Sequence, residues 1–331
     1  MNSCPAQGAP PASLSGPEFG PLLKTVSRSF YLSLRFLPEC LREPLGLAYL
    51  LARTSDTVAD ASEASLGARL EALEALIGAL QTACKTGRSP CELETVFAQM
   101  GCSNPAEARL LKTADALVGC FAVLPAPLRD EVFSVLQTIT AGQRGDLLRF
   151  GYASASAPQA LLRAADTVAY TYAVAGCVGE FWTRICALQM PGFSRIPVAE
   201  LLDHGRRLGQ GLQLVNILRD LPQDLRMGRC YLPAEELEAA GLSPADLLEH
   251  PVQARPLFER WVAQAEEWLA AGEAYVAGIR GRRLRFSVAL PRLLGTETLA
   301  LLRRNPPLET TQRIRVSRGT VARCALKAFQ L

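Results

Sequence analysis

GLAYLLARTSDTVADA, residues 46–61, repeats apolar residues at three- and four-residue spacing and therefore predicts an amphipathic α-helix. At about 100° per residue, one side of this helix is almost entirely apolar: Leu47, Leu50, Leu51, Thr54 and Val58. The other side is polar and consists of Tyr49, Arg53, Asp56 and Asp60. The residues next to these in sequence are mostly small. A lone pair of aspartates usually lies on a solvated surface, but no Lys or Glu is interleaved here. The stretch therefore indicates a helix that points two carboxylates at a ligand.

GRRLGQGLQLVNILRDLPQD, residues 205–224, has the same design. One side of the predicted helix carries two amides and two carboxylates: Gln213, Asn216, Asp220 and Asp224. Gly205 and Gly209 extend that side without bulk, and Pro222 lies between the aspartates, so we expect the helix to kink or end there. Mg²⁺ binds proteins through one or two carboxylates plus substrate phosphates and water. Two such stripes together favour a magnesium–diphosphate site over two unrelated surface faces.

Helical spacing continues through most of the chain, and Pro, Gly and Ser interrupt it. The predicted helical segments are 40–61, 66–84, 92–100, 105–121, 125–149, 157–189, 197–221, 233–240, 251–279, 285–303 and 316–328. Strand-like alternation is scarce, and neither a repeat nor an interdomain linker is visible. We therefore predict one all-α domain over residues 19–331, preceded by a disordered tail at 1–18.

Charge and cysteine spacing argue against several other classes of protein. The 35 basic and 32 acidic residues leave a net charge of +3, which does not favour nucleic-acid binding. Ten cysteines without CxxC spacing and only two histidines give little support to a zinc site and fit a reducing compartment. No apolar run is long enough to span a membrane. We expect a cytoplasmic monomer or weak dimer, with any membrane contact peripheral and serving product release.

The chemistry that the two stripes suggest is the departure of diphosphate from an allylic carbon. Bound Mg²⁺ neutralises the leaving group, and a guanidinium binds phosphate oxygens bidentately. The arginines near the stripes are Arg28, Arg53, Arg219 and Arg229. The remaining carbocation needs dry, apolar and aromatic walls, which the predicted helices can supply.

Four stretches resemble sequence blocks of the squalene/phytoene synthase family, the trans-isoprenyl diphosphate head-to-head synthases. They are VSRSFYLSLRFLP at 26–38, YLLARTSDTVAD at 49–60, YTYAVAGCVGE at 170–180 and GLQLVNILRDLPQDLRMGRCYLP at 211–233. The last block is highly specific, and the likeness covers roughly residues 20–305. The resemblance implies a single-domain isoprenoid synthase bundle of helices around a central apolar cavity.

The resemblance also implies roles for individual residues. Asp56, Asp60, Asp220 and Asp224 would bind Mg²⁺ and diphosphate, and Tyr170 would assist proton removal or stabilise a cation. The other substrate-binding candidates, including those taken from the stripes and the arginines above, are Ser27, Arg28, Phe30, Tyr49, Arg53, Gln213, Asn216, Arg219, Arg229 and Tyr231. This chain has Tyr-Thr-Tyr at 170–172, where the family often has Tyr-Cys-Tyr or Tyr-Cys-His.

The implied reaction is Mg²⁺-dependent condensation of two prenyl diphosphates, with farnesyl diphosphate favoured, through a cyclopropyl diphosphate to squalene. The wording of the first two blocks is similar to bacterial squalene synthases, and squalene formation requires NADPH. Phytoene, dehydrosqualene and presqualene diphosphate synthases are the alternatives. A terpene cyclase or chain-elongating prenyltransferase is disfavoured because DDxxD and NSE motifs are missing. A catalytically inactive assembly factor is disfavoured because all four aspartates are present.

No NADPH-binding motif is evident. The nearest glycine pattern, GQG at 209–211, lacks a preceding strand and a third glycine, so we interpret it as helix packing.

Overall fold

A computed structural model describes residues 19–27, 30–310 and 312–331, and these residues are mostly α-helical. The helices are α1 (Phe19–Ser27), α2 (Phe30–Phe36), α3 (Glu39–Ala59), α4 (Leu66–Thr86), α5 (Leu93–Phe97), α6 (Pro105–Lys112), α7 (Ala114–Ala122), α8 (Ala126–Phe150), α9 (Ala164–Thr171), α10 (Cys177–Gln189), α11 (Val198–Arg226), α12 (Ala234–Ala239), α13 (Pro251–Gly278), α14 (Arg282–Arg304) and α15 (Arg318–Gln330). The all-α prediction is confirmed. The predicted tail at 1–18 lies outside the described residues.

The described residues form two compact units. The first unit extends to Leu147 and also includes Arg184–Gln189, whereas the second contains Leu148–Thr183 and Met190–Leu331. The expected single domain over 19–331 stays a prediction. Among the described residues, no helix combines the length and apolarity that crossing a membrane requires.

In the first unit, α3 packs against α4, α6 and α7. The side of α3 predicted to be apolar is fully buried: Leu47, Leu50, Leu51, Thr54 and Val58. Burying one leucine stabilises the fold by roughly 1.5–3 kcal/mol. Thr54 satisfies its buried hydroxyl by donating to the Leu50 carbonyl oxygen at 2.9 Å. This packing fixes the helix that carries Asp56.

In the second unit, α11 packs along α13 and against the segment that contains α9 and α10. Two glycines of α11 allow that close approach. A Cβ on Gly209 would lie 2.2 Å from the Ala175 carbonyl oxygen, and a Cβ on Gly205 would lie 2.8 Å from the Gly179 carbonyl oxygen. The space at these glycines is therefore occupied by neighbouring backbone and is not open to a ligand. The interpretation of the GQG pattern as helix packing is confirmed.

The helix does not end at Pro222, one of the two expected outcomes, because α11 continues through Pro222 to Arg226. A proline inside a helix costs about 3 kcal/mol or more, since it removes one hydrogen bond and crowds the preceding turn. Buried leucines on both sides of it offset that cost: Leu218, Leu221 and Leu225. Asp220 and Asp224 consequently keep the one-turn spacing of an intact helix.

The expected helix over 157–189 is also interrupted. It contains strand β1 (Gln159–Leu161), then α9, a π-helical turn at Tyr172–Gly176, and α10. Strand β1 pairs in parallel with β2 (Arg229–Pro233), with Gln159 opposite Arg229. The predicted helix over 105–121 is similarly divided into α6 and α7 at Thr113, and α1 and α2 were not predicted. Three-residue strands are too short for alternation to reveal them.

Candidate active site

The first acidic pair consists of Asp56 and Asp60 on α3. Asp60 is the exposed residue that ends the helix, and its backbone N–H donates to the Asp56 carbonyl oxygen at 2.9 Å. The Asp56 carboxylate accepts a hydrogen bond at Oδ1 from Gln143 Nε2 on α8, at 2.5 Å. Its Oδ2 lies 3.8 Å from Arg53 Nη1. One carboxylate oxygen is thus held by a neutral amide, while the other faces a guanidinium at longer range.

Arg53 is positioned by a second acid. Its Nη2 donates to Glu107 Oε1 at 2.6 Å, and Glu107 is on α6. The Arg53 Nε is buried and has no hydrogen-bond partner among the described residues. The guanidinium is therefore fixed at one end and keeps a donor that a ligand oxygen can use.

The surroundings of Asp56 oppose its negative charge. Crowding by protein atoms raises the pKa of Asp56 to about 6; Arg53 and the Gln143 hydrogen bond act against this rise, and Asp60 adds to it. The side chain still keeps 46% of its surface exposed. The protein surroundings remove part of the hydration that stabilises the Asp56 carboxylate, but the side chain can still be reached from solvent. A divalent cation that binds there replaces the lost hydration energy.

The predicted residues before α3 are described only in part, and Tyr49 of α3 contacts the same region. Ser27 is buried, and its hydroxyl donates to the Leu23 carbonyl oxygen at 2.5 Å. The Tyr49 hydroxyl donates to the Val26 carbonyl oxygen at 3.2 Å. Arg28 and the side chain of Phe30 lie outside the described residues. Both described hydroxyls therefore bond to the backbone of α1.

The second acidic pair consists of Asp220 and Asp224 on α11. Arg219 binds both oxygens of Asp220: its Nε lies 2.9 Å from Oδ1, and its Nη2 contacts Oδ2. One turn earlier, Asn216 Nδ2 donates to Gln213 Oε1 at 3.4 Å. The structure thus brings the predicted amides together and partly neutralises Asp220 with the arginine beside it.

An aromatic group joins two predicted residues, Tyr170 and Tyr231, to Phe150, which was not predicted. Tyr170 stacks on Tyr231 with ring centroids 4.6 Å apart, and Phe150 meets Tyr231 edge-on at 5.3 Å. Tyr231 is 5% exposed and packs with Ile217 of α11. The Thr167 hydroxyl donates to the Tyr231 carbonyl oxygen at 2.9 Å. Arg229, two residues earlier in β2, is half-buried.

The acidic pairs provide the donor set that Mg²⁺ prefers, which is hard carboxylate oxygen without sulfur or imidazole. No cluster of three or more His, Cys, Asp or Glu side chains suited to a metal is found within 19–27, 30–310 and 312–331. Two carboxylates per pair are nevertheless sufficient, because Mg²⁺ usually takes its other ligands from substrate phosphate and water. The residues present therefore fit an ion that arrives with a diphosphate.

Comparison with known proteins identifies the family. A family model described as squalene/phytoene synthase matches residues 23–320. The chain belongs to this family. The squalene/phytoene synthases are head-to-head prenyl transferases. The prediction drawn from the four sequence blocks is confirmed.

Two relatives and one solved structure are similar to this squalene/phytoene synthase family member over most of its length. It is 31% identical over 281 residues to the presqualene diphosphate synthase of Zymomonas mobilis, covering 84% of this chain and 80% of that protein. It is 30% identical to phytoene synthase 3, chloroplastic, of Zea mays, covering 70% of this chain but only 45% of that protein. The structure of TcSQS with the ligand BPH1237 aligns with a TM-score of 0.77 and 23% identity, covering 94% and 85% of the chains. That likeness shows a shared all-α fold.

Sequence reasoning missed two residues that contact the first acidic pair or its arginine. Gln143 is 87 positions from Asp56, and Glu107 is 54 positions from Arg53. Neither lies in a block that suggested the family. The only signal was polarity within mainly apolar helical segments, which is typical of many surface residues too.

Proposed function

We propose that this chain condenses two farnesyl diphosphate molecules head to head, in a Mg²⁺-dependent reaction, to the cyclopropyl compound presqualene diphosphate. Family membership supports head-to-head transfer. The relative from Zymomonas mobilis, of which this chain covers 80%, is named for this product. The observation that carries the proposal is that one helix presents each acidic pair, α3 or α11, with an arginine beside its first carboxylate, Arg53 or Arg219.

In the proposed reaction, one carbon–oxygen bond to diphosphate, one carbon–hydrogen bond and the π bond of one carbon–carbon double bond break. Two carbon–carbon σ bonds form and close the cyclopropane, and diphosphate and a proton are released. Bound Mg²⁺ supplies Lewis-acid neutralisation of the departing diphosphate. The carboxylates of the two acidic pairs hold the ions. Arg53 and Arg219 bind phosphate oxygens, and Arg219 must first release Asp220.

Tyr170 is the proposed group near the developing cation. Its ring stacks on buried Tyr231, so its orientation is fixed before substrate binds. An aromatic face stabilises positive charge, and a phenolic oxygen can accept or relay the proton. Gln213 and Asn216 are proposed to orient the diphosphate beside the second acidic pair.

Squalene as final product would require a further reductive step with NADPH. The GQG glycines do not fit a nucleotide loop, because a Cβ on Gly211 would lie 3.0 Å from the backbone of α13. We therefore assign no residue to NADPH. Phytoene formation from geranylgeranyl diphosphate is the second candidate, and the maize relative supports it.

Product identification tests the proposal. Purified protein is incubated with farnesyl or geranylgeranyl diphosphate and Mg²⁺, with and without NADPH, and products are identified by mass spectrometry. We expect a C30 cyclopropyl diphosphate from farnesyl diphosphate and no product in EDTA. Head-to-tail elongation, cyclisation of a single farnesyl diphosphate, or no turnover at any chain length would contradict it. Squalene with NADPH would extend the assignment, and phytoene alone would favour the second candidate.

A further inference from the structure

Gln143 is a buried amide on α8 that contacts the first acidic pair from outside the sequence blocks. Its side chain is 8% exposed. Its Nε2 donates to Asp56 Oδ1 at 2.5 Å. The contact joins a neutral donor to one carboxylate oxygen. Gln143 therefore holds Asp56 in one orientation.

The other end of the same amide has no partner. Gln143 Oε1 is buried and accepts no hydrogen bond within the described part of the chain. Buried polar atoms are almost always paired, because an unpaired one costs about 1–3 kcal/mol. An acceptor left open beside a carboxylate is suited to a water molecule that a bound cation polarises.

A neutral donor has a specific advantage at this place. A lysine or arginine would hold Asp56 equally well but would cancel the charge that attracts a cation, as Arg219 does at Asp220. The amide occupies Oδ1 without adding charge and leaves Oδ2 for a ligand. Arg53 forms an ion pair with Oδ2 at 3.8 Å, at longer range than the bidentate contact between Arg219 and Asp220.

We propose that Gln143 is a positioning residue for metal binding: its amide orients Asp56 through Oδ1 and accepts, at Oε1, a hydrogen bond from water on the bound ion. This inference rests on the proposed function, since it concerns the cation that would neutralise the diphosphate. It adds a residue that lies outside the four family-like blocks.

The test measures Mn²⁺ binding by electron paramagnetic resonance in the presence of inorganic pyrophosphate. Gln143→Met keeps an unbranched chain of similar size but removes the amide. We expect it to weaken Mn²⁺ binding about tenfold, as is usual when a group that orients a metal ligand is lost. Gln137→Met on the exposed face of the same helix is the matched control, and its affinity should equal that of the wild type.

A double-mutant cycle separates positioning from a general effect on folding. In an Asp56→Ala background, adding Gln143→Met should change Mn²⁺ affinity less than about twofold, because no carboxylate remains to be oriented. If Gln143→Met does not unfold cooperatively, Gln143→Asn takes its place. Asn keeps the amide but is one methylene too short, so the same weakening is expected.

The outcomes distinguish the two proposals. Wild-type affinity in Gln143→Met, or an equal tenfold loss in the Asp56→Ala background, overturns the role of Gln143 and leaves the proposed function standing. No Mn²⁺ binding by the wild type with pyrophosphate contradicts the proposed function, and this inference with it.

Discussion

The two acidic pairs have the same sequence spacing but different surroundings. Asp56 is held by the neutral amide of Gln143, and Asp60 ends α3 in solvent. Asp220 is bound at both oxygens by Arg219, and Asp224 lies inside a helix that continues to Arg226. Identical DxxxD spacing therefore gives one pair whose first carboxylate is held by an amide with a guanidinium at longer range, and one pair whose first carboxylate is bound at both oxygens by an arginine.

This difference suggests that the two acidic pairs bind metal under different conditions. The first pair is ready to bind a cation. Its Asp56 carboxylate is already oriented and partly shielded from water, so a positive partner stabilises it most. The second pair binds a cation only after Arg219 moves away, and that arginine is then released for phosphate oxygens. We expect the first pair to bind metal alone and the second to bind it with diphosphate.

The largest expected effect is the loss of catalysis in either pair. Asp56→Asn and Asp220→Asn should each lower kcat at least about 1,000-fold, because each removes a charge that holds an ion on the leaving group. Pyrophosphate release measures the rate, and circular dichroism checks that the fold is intact. Near wild-type turnover in one variant would show that only the other pair serves the reaction.

Replacing Arg219 should affect binding in two opposite ways. Arg219→Gln frees Asp220, so Mn²⁺ affinity without pyrophosphate should rise. The same change should increase the KM for the prenyl diphosphate roughly tenfold, because a charged hydrogen bond is worth about 1.5–3 kcal/mol. Arg226→Gln, an exposed arginine on the same helix, should change neither quantity. Lower Mn²⁺ affinity in Arg219→Gln would refute competition between the arginine and the metal.

The pH dependence of metal binding should report the first pair. The pKa of Asp56 is about 6, so its carboxylate is protonated below that value and cannot bind a cation. The affinity that Asp56 contributes should fall about tenfold per pH unit below 6. The measurement is the difference in Mn²⁺ affinity between wild type and Asp56→Asn from pH 5 to 8. A constant difference across that interval would be inconsistent with the raised pKa.

The smallest expected effect is on the stability of the metal-free protein. A carboxyl group whose pKa is raised by folding lowers the free energy of unfolding. This destabilisation is zero at low pH, grows between about pH 4 and 6, and is constant above that range. Asp56→Asn should therefore stabilise the protein in EDTA at pH 8. Because the side chain is 46% exposed, the gain is limited to about 1 kcal/mol. Urea unfolding at pH 8 and pH 5 measures it, and the gain at pH 5 should be about half of that at pH 8.

Local periodicity was sufficient to predict the helix that carries the first pair. The apolar side of α3 is buried as expected, since hydrophobic spacing of about 3.6 residues directly encodes a buried helical face. The same reasoning allowed a helix end at Pro222, where tertiary burial of leucines outweighs the local cost of proline. At Gly209 the interpretation as helix packing was right, because a Cβ there would lie 2.2 Å from the Ala175 carbonyl oxygen.

The surroundings of the acidic pairs required three-dimensional information. Gln143 and Glu107 come from distant helices, so no spacing rule connects them to Asp56 or Arg53. The Arg219–Asp220 ion pair joins neighbours in sequence, which point about 100° apart on a helix and do not ordinarily face each other. The spacing of the aspartates thus predicted where the negative charges lie, whereas only the structure could identify the residues that contact them.

The most direct test of the central claim is a crystal structure with Mn²⁺ and an unreactive thio analogue of farnesyl diphosphate. Anomalous scattering locates each Mn²⁺ ion without ambiguity. We expect ions coordinated by Asp56 and by Asp220, with Arg219 moved from Asp220 to a phosphate oxygen and Gln143 still bonded to Asp56. Mn²⁺ coordinated by neither aspartate, with the analogue bound elsewhere, would contradict the account.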